Sequence, residues 1–177
     1  MAPRRQYEHH PRPHSTSVST SAAVPPLQAI LSAIANAKPR PGRPATRLLA
    51  VSKTRGAEAV AALAAQGQRA FGENYVQEAL PKIAALGALG LEWHLIGHLQ
   101  SNKAREAAQA FDWVQSVDRP KLVEALARHR PPQAGPLNVL VQVNIDDESS
   151  KSGCRPQDVP ALAEAIAAQP ALRLRGL

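Results

Sequence analysis

The chain has one cysteine, Cys154, in 177 residues. A single thiol excludes an intramolecular disulfide framework and a cysteine-rich zinc site. No run of 18 apolar residues occurs, which excludes a membrane-spanning helix. Three glycine signatures are missing as well. There is no G-x-G-x-x-G, no G-x-x-x-x-G-K-[ST] and no G-x-S-x-G. Their absence argues against a dinucleotide-binding doubly wound sheet, a phosphate-cradling P-loop and a nucleophile elbow. Acidic residues are scarce at the start. Residues 1–46 hold six Lys/Arg against one acid, and residues 47–177 hold fifteen against thirteen. The formal charge of +7 is therefore mostly a property of the tail, and it does not make the body a nucleic-acid binder.

What is present is 44% apolar and 20% charged, the balance of a soluble globular chain with one domain. Residues 1–26 are rich in Pro, Ser, Thr, His and Arg. They cannot bury enough apolar surface to offset their ordering entropy, so they read as a disordered tail. The segment lacks the apolar centre of a secretory signal. His9, His10 and His14 lie in it without a rigid scaffold, so no metal site is expected there. A short helix follows from about Pro26 to Ala37, with Leu27, Ile30, Leu31 and Ile34 on one face. KPRPGRPA (38–45) ends it.

From Arg47 onward, short apolar runs alternate with amphipathic stretches. Strand candidates are 47–52, 69–72, 91–97, 112–117, 138–145 and 171–177. Helix candidates lie near 57–66, 75–87, 99–109, 119–129 and 157–168. Strand ends recur every 19 to 32 residues. Six such alternations in succession predict βα units around a parallel sheet, of which the folded domain spans 27–177.

In parallel α/β folds chemistry gathers at the carboxyl ends of strands. Lys53 follows LLAVS, a run that should be buried. It is either a surface lysine just past a strand or an amine at the mouth of an apolar cup. An unperturbed lysine of pKa about 10.4 is roughly 0.04% neutral at pH 7, and desolvation frees the nucleophilic amine. Glu73 and Asn74 follow strand two, and Asn74 with Gln77 has the form of a helix cap. Val76, Ala79, Leu80 and Ile83 form the buried face of that helix. Pro81 within it costs about 3 kcal/mol or bends the axis. HLIGH (94–98) has the spacing of a helical zinc pair, but it alternates as a strand, which sets the imidazoles some 13 Å apart. Asp118 before Arg119-Pro120 reads as an N-cap. Asn144 closes strand five. Asp146, Asp147 and Glu148 read as a self-repelling solvated loop, with Lys151 on it as a second, weaker candidate amine. Cys154 reads as a packing residue.

AVSKTR (50–55), FGENYVQEAL (71–80), WHLIGHLQSNK (93–103), VQSVD (114–118) and VLVQVNIDDESSKSG (139–153) together resemble the pyridoxal phosphate homeostasis protein family. The resemblance runs from about Leu48 to Leu177. It implies an α/β (β/α)8 TIM-type barrel similar to the barrel domain of alanine racemase and related to fold type III pyridoxal-phosphate proteins, here with about six βα units. It implies pyridoxal 5′-phosphate held as an imine on Lys53, with Asn74, His94, Ile96 and Asn144 as further cofactor contacts and no metal. It implies a cytoplasmic carrier without a reaction of its own, which supplies the cofactor to apo-enzymes. The expected form is a monomer that binds neither nucleic acid nor membrane. Arg55 stands where the family commonly has lysine, and an always-protonated arginine cannot be a spare amine. The family's phosphate loop and pyridine-facing arginine belong to the last two strands, so the phosphate cradle is expected to be absent from these 177 residues. Two other readings stay open: a racemase- or lyase-like enzyme using Lys53, and a non-binding remnant.

Overall fold

A computed structural model describes residues 27–37, 41–42, 44–146, 148 and 151–177. The expected tail and its histidines lie outside the described residues. The first helix, α1 (Leu27–Asn36), is followed by β1 (Ala50–Val51) and α2 (Ala57–Ala65). Then come β2 (Ala70–Glu73), α3 (Val76–Ala85), β3 (Glu92–Leu95) and α4 (Ala104–Ala110). The series ends with β4 (Trp113–Val117), α5 (Pro120–His129), β5 (Leu137–Val141), α6 (Val159–Ala167) and β6 (Leu172–Gly176).

All six strands pair in parallel, and their order in the sheet is their order in the chain. A doubly wound sheet reverses its strand order at a switch point. Here the winding never reverses, so right-handed crossovers put the connecting helices on one side of the sheet. This is the winding of a (β/α)8 barrel, here with six strands and five crossover helices. Alternation along each strand then sorts the side chains. Phe71, Trp93, Leu95, Val114, Val139 and Leu172 turn toward the helices and form one core with Val60, Ala79, Ala107, Leu122, Leu126 and Ile166. Glu92, His94, Trp113, Gln115, Arg173 and Arg175 take the inner face.

Several boundaries differ from expectation, each for a local reason. β1 is two residues rather than six, because the Leu48 carbonyl is taken by the Gln68 side-chain amide at 2.9 Å. β5 stops at Val141, short of Asn144. Beyond it the chain meets the returning loop, where Val143 pairs with Cys154 and the Asn144 N–H donates to the Cys154 carbonyl at 2.8 Å. Asn74 does not cap α3. The cap position is Tyr75, without a side-chain bond, since the helix begins one residue later than the pattern suggested. Asp118 does not cap α5 either. Arg119 holds that position, and Asp118 instead accepts from Arg119 Nη1 at 2.6 Å. Pro120 sits in the first turn, where its missing N–H costs nothing. Pro81 lies inside α3 without breaking it. Both Pro81 and Gln77, whose carbonyl it leaves free, are on the exposed side.

Candidate functional site

The pairing register defines rows across the inner face. Val51, Gly72, His94 and Trp113 are successive partners. Two residues further along each strand come Lys53, Asn74 and Ile96, at the carboxyl edge of the sheet. Three of the five expected contacts thus share one row. His94 lies one row deeper. Asn144 lies in the loop past β5, where its side-chain amide donates to the Glu148 carbonyl at 2.9 Å.

Lys53 is exposed, and the described residues form no apolar cup over it. Its amine has no hydrogen bond or ion pair among the described residues. The next residue, Thr54, has φ +63°. A β-branched residue in the left-handed region is a genuine outlier, worth about 1–3 kcal/mol of strain, and such strain clusters at functional sites. The residue before the lysine is held tightly. The Ser52 hydroxyl donates to Glu73 Oε1 at 2.6 Å, and Lys82 Nζ donates to the Ser52 carbonyl at 3.0 Å and to Glu73 Oε1 at 2.8 Å. Glu73, expected at the chemical edge, is instead fully buried on the helix side of β2.

The ends of β2 and β3 touch. A Cβ on Gly97 would lie 2.2 Å from the Asn74 carbonyl oxygen, so only glycine permits this approach. A cavity of about 230 Å³ opens beside the contact, lined by Asn74, Tyr75, His98 and Lys103 among others. Lys53 is not in its lining.

His94 is buried, and both ring nitrogens are engaged. One tautomer satisfies both contacts: Nε2–H donates to Glu92 Oε1 at 2.8 Å, and Nδ1 accepts from the Gln115 amide at 2.9 Å. The ring stacks on Trp113, with centroids 5.2 Å apart. Burial holds the imidazole below its ordinary value, outweighing the Glu92 carboxylate that would raise it. Burial alone would raise Glu92. The His94 hydrogen bond and the Arg47 guanidinium at 3.0 Å outweigh it and hold the carboxyl low. The pair is therefore neutral imidazole beside ionised carboxylate near pH 7.

Lys151 is committed to its own loop, 2.7 Å from Glu148 and 3.7 Å from Asp146. The acidic run is thus paired rather than self-repelling at those two residues, and Asp147 lies outside the described residues. Cys154 is buried, and burial pushes its thiol up, as for a packing residue.

Sequence reasoning missed Lys82, Thr54 and the Glu92–His94–Gln115 network. A signal for Lys82 existed. It stands three residues after Ala79 on the buried stripe of α3, and a charge on an apolar stripe demands a buried partner.

A one-way parallel sheet of six strands joined by five crossover helices, with its polar side chains on the inner face, defines a protein of the (β/α)8-barrel class. Residues 26–177 match the family described as alanine racemase, N-terminal domain, and the chain belongs to it. Its relatives narrow the branch. It is 58% identical over 130 residues to the pyridoxal phosphate homeostasis protein of Pseudomonas aeruginosa, covering 73% of this chain and 56% of that protein. The chain thus spans little more than half the length of that relative. Among solved structures it is similar to PipY of Synechococcus elongatus PCC7942 without PLP, at 40% identity and TM-score 0.73, covering 83% of this chain and 67% of that one. The same protein with PLP bound matches at 39% identity and TM-score 0.71, covering 83% and 66%.

Proposed function

We propose that this protein binds pyridoxal 5′-phosphate covalently through Lys53 and serves intracellular cofactor homeostasis, holding the aldehyde and supplying it to apo-enzymes. The observation that carries this reading is the Lys53 amine, which stands exposed and unpaired at the carboxyl edge of β1 beside the strained Thr54. The relatives support it through the names they carry and through PLP in the PipY structure.

The residues present fit the aldehyde end and the ring of such a cofactor. Gly72 is buried on the inner face one row below Lys53. A Cβ there would meet Ile96 Cδ1 at 3.1 Å and Leu49 Cδ2 at 3.6 Å, so these two apolar side chains pack over the glycine and close the floor beneath the Lys53 row. Ile96 would supply an apolar contact, and Asn74 a polar one from the same row. His94 has both nitrogens occupied, and its part is to stiffen the layer beneath. When bound, the cofactor supplies an aldehyde carbon: the neutral amine condenses with it, one C=N bond replaces C=O, one water leaves, and no oxidant or reductant is needed. The protein acts here as a carrier and not as a catalyst.

The test is direct. Purified protein with added pyridoxal phosphate should absorb near the visible–ultraviolet boundary, and borohydride should fix the adduct on a peptide containing Lys53. Lys53→Ala should lose both signals. Label confined to Lys103 or Lys151, with normal binding by Lys53→Ala, would overturn the reading.

A further inference from the structure

Ser52 is held at each of its polar atoms. Its N–H donates to the Gly72 carbonyl at 2.9 Å, and its hydroxyl to Glu73 Oε1 at 2.6 Å. Its carbonyl accepts from the Arg55 N–H at 3.1 Å and from Lys82 Nζ at 3.0 Å. Lys82 Nζ closes the cluster with Glu73 Oε1 at 2.8 Å. Ser52 is 5% exposed, Glu73 0% and Lys82 8%.

A buried ion pair is a poor device for stability alone, since apolar residues of similar volume often do as well or better. This one also leaves Glu73 Oε2 buried without a hydrogen-bond partner. Its place in the chain suggests another role. The Ser52 carbonyl belongs to the peptide bond that leads into Lys53, and Thr54 follows at φ +63°. A threonine leaves that conformation unless the flanking backbone is fixed. On one flank the fixing groups are the Lys82 ammonium and the Glu73 carboxylate, acting through Ser52.

We propose that Ser52, Glu73 and Lys82 form a positioning cluster that holds the strained Lys53–Thr54 turn and so directs the Lys53 amine toward an incoming aldehyde. The proposal rests on the reading of Lys53 given above. Glu73 and Lys82 touch no ligand in it. They act through the Ser52 carbonyl, which makes them positioning residues.

The experiment uses the whole chain and three variants. The double variant Glu73→Gln/Lys82→Met removes both charges together, so no lone charge stays buried. Ser52→Ala removes only the hydroxyl, and Ser52→Thr keeps it. The first readout needs no cofactor: hydrogen exchange of the Arg55 amide, which donates to the Ser52 carbonyl. Its protection should fall about tenfold in the double variant, the worth of one charge-assisted hydrogen bond, about threefold in Ser52→Ala, and stay near wild type in Ser52→Thr. The second readout is the ratio of borohydride-fixed pyridoxal phosphate on Lys53 to that on Lys103 in the same molecules. It should fall about tenfold in the double variant, whereas general loosening of the fold exposes no such preference between the two lysines.

If the double variant does not fold, Ser52→Ala against Ser52→Thr decides the same point. Wild-type exchange at Arg55 together with a wild-type labelling ratio, in variants that still melt cooperatively, would overturn the cluster while leaving Lys53 as the carrier. Faster Arg55 exchange with no label on Lys53 even in the wild type would do the reverse. The turn would still be held by the cluster, and the reading of Lys53 would fall.

Discussion

Phe71, Trp93, Leu95, Val114 and Val139 turn toward the helices and are between 0% and 4% exposed, while the alternate residues of the same strands are Glu92, His94, Trp113, Gln115 and Asn138. The helix side is close-packed hydrocarbon, in which any lost volume leaves a cavity. The inner side holds polar groups that satisfy one another: guanidinium to carboxylate, carboxylate to imidazole, imidazole to amide. Trp113 lies between His94 and the Arg175 guanidinium, which is 5.5 Å from its ring centroid. One face thus stores the stability of the sheet. The other trades apolar contact for fixed polar geometry beside the row where Lys53 ends its strand. The Ser52–Glu73–Lys82 cluster links them, a charged group on the apolar side directly before the lysine.

The sharpest test of this contrast is Phe71→Ala. It removes a fully buried ring in contact with Trp93 and should cost about 3–5 kcal/mol in denaturant unfolding. Trp113→Ala removes a larger ring from the inner face, yet it should cost less, about 1–2.5 kcal/mol, because the site is partly open and what is lost is one stack and one cation–π contact. Equal costs would erase the distinction between the faces. The smallest effect is the response to acid. His94 is lower in the folded chain than its ordinary 6.5, so below that pH the unfolded chain binds more protons, and stability should fall as pH drops. Glu92 is also lowered, and its contribution, full above 4.5, should be lost in a second decline at lower pH. Melting temperature against pH checks both. His94→Gln should remove the upper decline and shrink the lower one, because the His94 hydrogen bond is the foremost of the groups that hold Glu92 low.

Much of this fold was legible in the chain. Six apolar runs separated by amphipathic stretches gave βα units in the right places, and α2, α5 and α6 fall within two residues of expectation at both ends. Lys53 at the end of the first strand was visible too, because strand ends follow from local pattern. The caps were not. Asn74 and Asp118 have the right chemistry for a cap, but each stands one residue too early, since local pattern fixes a helix start only to within a residue or two.

By itself the sequence determined which residues alternate, which stretches are apolar, and that an amine ends the first strand, because these are properties of near neighbours along the chain. Only the tertiary structure decided that Lys82 would turn inward to Glu73 and the Ser52 carbonyl, that His94 would lose both nitrogens to Glu92 and Gln115, and that Thr54 would be held at positive φ. Periodicity assigns a side chain to a face. Which partner it meets there depends on strand register and helix placement, and a buried charge takes whichever partner that packing brings within reach.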